Sequence, residues 1–289
     1  MKEFPEIDYQ APDFGDFYDE LPLWSAHFGR MLLEHVPLRP GMTILDVGAG
    51  TGFLSIELAQ RCGAAATVIA VDPWQAAIDR LEHKLRYLGI ANVRTRVGGI
   101  EAVDLPDAGV DLIVSNLGLN NFDQPEAALR TCFRVARPGA PLLLTTNLVG
   151  HMTEFYDAYR GVLEELGFDD QLPVLDVHIQ HRATIDSVRA MLEGAGFEYV
   201  RAVRHAFRER FADGSALLRH YFVRLAFVPG WKSIAPEHAR ALTFDALESR
   251  LNHIATEHGG LSLTVPAACI EARKPCRTAI ERSFVSYVA

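Results

Sequence analysis

The segment ILDVGAGTGFLSIELA, residues 44–59, constrains the fold of this chain more than any other stretch. An apolar run ends in Asp46, and Gly48, Gly50 and Gly52 then occupy alternate positions. A helical pattern opens immediately at Phe53. Glycine at such a junction lets the backbone turn sharply, and lets a ligand lie on the main chain with no Cβ in the way. A crevice between the carboxyl end of a strand and the start of a helix is where open α/β sheets bind ligands. The chain is therefore expected to fold as an α/β protein, with a ligand seated on this loop.

The surrounding sequence repeats the same alternation. Strand patterns over 42–48, 67–72, 93–99, 110–116 and 140–147 are interleaved with helical patterns over 53–62, 75–90 and 125–137. Strands that are apolar throughout and alternate with helices imply a parallel sheet covered on both faces. A helical pattern over 23–36 comes before them, stopped by Pro40 and Gly41. After Asn147 the order loosens. Helical patterns cover 151–168, 184–197, 215–228 and 236–260, and strand patterns cover 197–211 and 261–275. One domain over 1–289 is expected. It comprises an N-terminal cap (1–40), a ligand-binding core (41–150), cap elements (151–182 and 206–258), and a late helix with strands (183–205 and 259–275).

Asp72 ends the second strand, 20 positions after Gly52. An acid at about that separation hydrogen-bonds a ribose hydroxyl in folds of this kind, and a carboxylate can accept two hydrogen bonds from a diol. A helix-capping role is the alternative, because Asp72 also precedes Pro73 and a helix. The dinucleotide fingerprint G-x-G-x-x-G, started at Gly48, would need its third glycine at 53, which is Phe53.

The pattern D-x-G-x-G-x-G instead resembles motif I of the class I S-adenosylmethionine-dependent methyltransferases. Other segments resemble the same family in the same order. Glu101-Ala102 with Leu105-Pro106 is similar to its adenine-side segment, with Glu in place of the usual Asp. Asp111 and SNLGLNNF (115–122) resemble its fourth motif, and ARPGAPLLLTT (136–146) the entry to its fifth strand. TIDSVRAMLEGAGFEYV and ACIEARKP resemble its late helix and its sixth and seventh strands. The resemblance implies a Rossmann-like αβα sandwich, with a mostly parallel seven-stranded sheet whose last strand is antiparallel and inserted beside the sixth. It also implies S-adenosyl-L-methionine as cofactor. The residues implied to hold that cofactor are Tyr18, Trp24, Asp46, Gly48, Ala49, Gly50, Asp72, Pro73, Trp74, Glu101, Ala102, Asn116 and Leu117. Tyr18, Trp24 and Phe28 resemble the family's aromatic lid, and core packing of an amphipathic helix would explain them equally.

A sulfonium methyl is strongly electrophilic, so positioning and desolvation can supply most of the acceleration. A general base is needed only when the acceptor must first lose a proton. No base motif stands out. Asn120, at the carboxyl edge of the fourth strand, and His220 and Tyr221, in the late helical segment, are the candidates, with His151, His178 and His181 behind them. The fourth-strand segment lacks the N/D-P-P-Y/F of nucleobase and glutamine methyltransferases, and the cysteines are not paired as arsenic methylation requires. These departures point to a small-molecule acceptor. A non-catalytic binder of the same cofactor and an NAD(P)-dependent oxidoreductase remain as alternatives.

Charge and cysteine usage narrow the partners. The formal net charge is −9, without the clustered basic footprint of a nucleic-acid partner. Arg201, Arg204, Arg208 and Arg210 interleave with Val203 and Phe207, as on the wet face of a strand. Cys62, Cys132, Cys269 and Cys276 have no metal-ligand spacing, and reduced thiols are expected. No apolar run approaches the ~20 residues of a membrane span, and the N-terminus does not read as a targeting segment. A cytoplasmic enzyme without metal, membrane or nucleic acid is expected, with a homodimer left open.

Overall fold

A computed structural model describes Asp16, Asp19 and residues 23–276. Tyr18 lies outside the described residues. Seven strands form one sheet in the order β3-β2-β1-β4-β5-β7-β6. The chain divides into two compact units. Of the described residues, one holds those up to 146, 185–204 and 268–276, and the other holds 147–184 and 205–267.

In the first unit, α1 (Leu23–Leu33) leads into β1 (Thr43–Val47), α2 (Phe53–Cys62), β2 (Thr67–Asp72), α3 (Gln75–Leu88) and β3 (Val93–Val97). Next come β4 (Leu112–Asn116), α4 (Pro125–Val135) and β5 (Pro141–Asn147), and later α7 (Ile185–Gly194). β1 pairs in parallel with β2, from Thr43 opposite Thr67, and with β4, from Ile44 opposite Leu112. β2–β3 and β4–β5 are parallel as well. Ile44, Leu45, Val68, Leu112, Val114 and Leu143 are buried without remainder, as strands covered on both faces must be. β3 lies at one edge and is partly exposed, which explains its Val-Arg-Thr-Arg-Val sequence.

Local chemistry sets the element ends. α3 stops at Gly89, whose left-handed φ of 66° lets its N–H reach Arg86 O while Ile90 N reaches Leu85 O. α4 begins at Pro125, where a missing N–H costs nothing. The helical pattern runs to 36, but α1 ends at Leu33. His35 N closes a tighter turn on Leu32 O, and Pro37 disfavours helix at the residue before it.

The second unit contains α5 (Thr153–Glu165), α6 (Leu172–Gln180), α8 (Gly214–Arg219), α9 (Tyr221–Ala226), α10 (Val228–Ile234) and α11 (Arg240–His258). Its core is aromatic. Phe155 stacks on Trp231 at 3.9 Å between centroids, and Tyr159 and Phe244 pack edge to face. The single helix expected over 215–228 is in fact a series of short ones. Asp213 caps the first, its carboxylate accepting from Ala216 N at 2.7 Å. His220 is extended, and Pro229 fits only the opening turn of a new helix. α6 falls within the expected cap segment 151–182, beyond the helical pattern read over 151–168.

β6 (Glu198–Phe211) and β7 (Leu261–Arg273) contribute residues to both units. Lys274 N bonds Ala140 O before β5, whereas Leu148 N bonds Pro266 O after it. β7 is therefore antiparallel to β5, as the resemblance implied. β6 lies at the other edge of the sheet, exposed over much of both faces along its 14 residues.

Candidate cofactor site at the glycine loop

The loop hangs from the neighbouring strand. Gly48 N and Ala49 N both donate to Val71 O, at 2.9 and 3.1 Å. Gly48, Gly50 and Gly52 have φ of +76, +54 and +90°, a region that L side chains rarely enter. Each glycine meets different surroundings. A Cβ on Gly52 would lie 2.1 Å from Leu81 Cδ1, and one on Gly48 would lie 3.2 Å from Gly118 Cα. A Cβ on Gly50 would meet nothing within 4 Å. The third glycine therefore admits the packing of α3, while the second presents bare backbone to open space.

Asp72 faces that backbone. One carboxylate oxygen accepts from Gly50 N at 2.8 Å, and the other accepts from Trp74 N at 2.9 Å. Burial pushes the carboxyl above its ordinary range, opposed by these donors. The turn-capping bond and the contact to the loop thus coexist. Each oxygen takes one of these donors, and a carboxylate oxygen can accept two.

Asp46 is buried beneath the loop and accepts from Ser55 Oγ at 2.6 Å, tying β1 to α2. Burial, with the charge of Asp72 as a smaller cause, pushes its carboxyl up to about 7. Residues 46–53 contain no Lys or Arg. The loop itself thus offers no cationic side chain to a pyrophosphate.

The exit of β4 forms another wall. Leu117 adopts φ +63°, with its N–H held by Thr145 at both O and Oγ1. Asn116 Oδ1 accepts from Thr145 Oγ1 at 2.7 Å, and its Nδ2 donates to Ser25 O at 3.0 Å, which anchors α1. Thr146 Oγ1 donates to Asn120 Oδ1, so both asparagines are oriented from β5. A Cβ on Gly118 would lie 2.4 Å from Ser115 Oγ, and glycine alone fits there.

α1 crosses α2 closely. A Cβ on Gly29 would lie 2.2 Å from Phe53 Cε1, so the residue that breaks the dinucleotide fingerprint is the one α1 rests on. Trp24 is half-buried beside Phe28, whereas Phe28 itself is core. Asp19 is a residue that sequence reasoning misses. It pairs with Arg80 at 3.0 Å and Lys84 at 2.7 Å, and Thr51 of the loop also hydrogen-bonds it. Arg80 and Lys84, four apart on α3, are its only signal.

Pro73, Glu101 and Ala102 are exposed, and Trp74 is half-buried. Glu101 and Ala102 lie on a short 3-10 turn with the Glu101 carboxylate folded back over Gly99. His220 and Tyr221 are exposed in the other unit, at the junction of α8 and α9. His151 and His178 belong to that unit too, and are buried and half-buried. Among the described residues, no group of His, Cys, Asp or Glu could hold a metal ion, and no helix is long and apolar enough to cross a membrane.

A family model described as a methyltransferase domain matches residues 38–192. The ubiquinone/menaquinone biosynthesis C-methyltransferase UbiE of Escherichia fergusonii is 30% identical over 197 residues, covering 64% of this chain and 78% of that protein. Its Salmonella paratyphi B counterpart is 31% identical with the same coverage. Among solved structures, the YcgJ protein from Bacillus subtilis superposes with a TM-score of 0.57 at 16% identity, over 86% of this chain and 99% of that one. A SAM-dependent methyltransferase from Aquifex aeolicus gives 0.52 at 24% identity, over 68% and 93%. With a family model spanning more than half of the chain, relatives of this identity, and a glycine loop flanked by carboxyls, the chain belongs to the S-adenosylmethionine-dependent methyltransferases.

Proposed function

We propose that this enzyme methylates a small-molecule acceptor, using the glycine loop and its flanking residues to hold S-adenosylmethionine. The observation that carries the reading is Asp72, fixed by Gly50 N and Trp74 N beside the bare backbone of Gly50. Its remaining acceptor capacity suits a ribose diol. In this reading Gly48, Ala49 and Gly50 carry the cofactor on their main chain. Pro73 and Trp74 lie beside its ribose, Glu101 and Ala102 line the adenine side, and Asn116 and Leu117 flank the methionine end. Trp24 covers it. Asp46 acts from below, by holding β1 against α2.

When bound, S-adenosylmethionine supplies an electrophilic methyl group on a sulfonium. The chain's own contribution is positional. Asn116 and Asn120, oriented by Thr145 and Thr146, set the polar edge of the β4 exit, and exclusion of water strengthens every such contact. The named relatives act in ubiquinone and menaquinone biosynthesis, which supports a small organic acceptor and carbon as one acceptor atom. The net charge of −9 supports an enzyme that does not seek nucleic acid. We place it in the cytoplasm.

Calorimetry with S-adenosylhomocysteine tests the site. Asp72→Ala is expected to weaken binding by about 10- to 100-fold, the worth of a hydrogen bond to a charged group. Unchanged affinity, or no binding by the parent, sinks the reading. Conversion of S-adenosylmethionine to S-adenosylhomocysteine with a panel of small acceptors separates an enzyme from a binder. A flat time course across all of them would favour the binder.

A further inference from the structure

One cluster outside the glycine loop has unused chemistry. His151 follows the end of β5 by four residues and is 2% exposed. Its ring lies 5.4 Å from that of Phe227, and Arg182 stands over the same Phe227 ring at 6.0 Å. The bridge between Leu148 and Ala183, with Val149 N donating to Ala183 O at 3.1 Å, brings the Arg182 segment beside the His151 segment. Met152, the residue after His151, sits at φ +51°. Non-glycine residues are held there only where their surroundings over-determine them. Here Met152 is buried and its N–H donates to Thr264 O at 2.7 Å.

The hydrogen bonds of His178 fix its tautomer. Trp231 Nε1 donates to Tyr156 Oη at 3.1 Å, and Tyr156 Oη lies 3.1 Å from His178 Nε2. Indole and guanidinium can only donate, and Arg182 hydrogen-bonds Tyr156 as well, so with both donors on its oxygen the tyrosine proton goes to His178 Nε2, and a neutral His178 carries its own proton on Nδ1. Nothing among the described residues accepts from that Nδ1. Gly230, inside α10, is what admits this ring, because a Cβ there would lie 2.9 Å from His178 Cε1.

The charges do not balance. Burial holds His151 and His178 below the ordinary histidine range, and the Arg182 charge adds to the effect on both. Both rings are therefore neutral near pH 7, which leaves Arg182 as the cluster's cation. Arg160, Arg219 and Arg250 of the same unit each pair with a carboxylate. Arg182, which is half-buried, hydrogen-bonds Tyr156 but pairs with no carboxylate among the described residues. A guanidinium withdrawn from water without a counter-charge is costly. Its planar fork matches a carboxylate in a bidentate arrangement, and His178 Nδ1–H offers a further donor.

We propose that Arg182 and His178 form an anion site that holds the carboxylate of a small carboxylic acid whose body lies against the Phe227 ring. The anion site stands on its own geometry, apart from the methyltransferase reading above.

Binding of benzoate and of its neutral isostere benzamide to the full chain, each with and without S-adenosylhomocysteine, tests the proposal. Benzoate is expected to bind at least about tenfold more tightly, and to shift the ring signals of His178 in nitrogen-15 NMR. Arg182→Gln is expected to abolish the preference for benzoate, and Arg182→Lys to keep part of it. Affinity for S-adenosylhomocysteine should not change in either variant. Equal affinity for the two probes, no benzoate binding at about 10 mM, or a preference that survives Arg182→Gln overturns the anion site. The parent comparison needs no variant to fold. Should the parent bind benzoate but not S-adenosylhomocysteine, the methyltransferase reading fails and the anion site stands.

Discussion

At the scale of single residues, two buried groups give stability opposite pH dependences. The Asp46 carboxyl is pushed by burial from 3.8 up to about 7, so the folded state binds its proton more tightly than the unfolded chain does. Its contribution is therefore full below pH 3.8 and is lost as pH rises to about 7. His151 runs the other way. Burial lowers it from 6.5 to about 3, so its neutral form is favoured, and stability is lost as pH falls from 6.5 toward 3. Thermal denaturation at a series of pH values should show Asp46→Asn losing less stability than the parent between pH 4 and 7. His151→Gln should lose less between pH 6.5 and 3. Each difference is expected to reach a few kcal/mol at most, since a tenfold change in proton affinity is worth about 1.4 kcal/mol. A slope unchanged from the parent counts against the corresponding assignment. Gly52→Ala combines a φ of +90° with a 2.1 Å approach to Leu81. Urea unfolding should show a loss of about 2–4 kcal/mol, from overpacking together with left-handed backbone strain.

At the scale of elements, legibility depends on how local the cause is. α2 and β2 have the bounds read from the sequence, because Gly52 and Gly63 bracket the helix and Asp72 closes the strand. The pattern of α1 overruns its true end, because a capping turn and Pro37 act on the last helical residues rather than on the apolar spacing. The segment 215–228 keeps a helical spacing throughout, yet the extended backbone of His220 breaks it, and the helix from Val228 starts afresh around Pro229. Asp72 and the glycines are legible from spacing alone. The ties from Thr145 and Thr146 to Asn116 and Asn120 are not, since they depend on the β4–β5 register, which sets Asn116 opposite Thr145. Asp19 is hidden for a similar reason, its partners lying 61 and 65 residues away. The α1–α2 crossing makes a clean test. Gly29→Ala should cost about 1–3 kcal/mol by overpacking against Phe53. Phe53→Leu should suppress that cost in a double-mutant cycle. Additive losses would show that the contact does not carry the crossing.

For the whole molecule, the tryptophans report on different regions. Trp24 and Trp74 belong to the unit with the glycine loop, and Trp231 belongs to the other. β6 and β7 supply backbone ladder to both, so unfolding is expected to be cooperative. With fluorinated tryptophan, all native fluorine-19 signals should vanish over one urea range. S-adenosylhomocysteine at about 100 times its Kd should raise that range by the equivalent of about 2.7 kcal/mol for every signal. A Trp231 signal lost at lower urea, and unmoved by the ligand, would show independent units. The exposed edge strand β6 has a further consequence, for life at high concentration. Its 14 residues offer a long template on which a second molecule could add a strand. Charged side chains blunt such an edge, and along β6 Arg204 and Arg210 stand beside Arg201 and Arg208, which pair with Glu271 and Glu154.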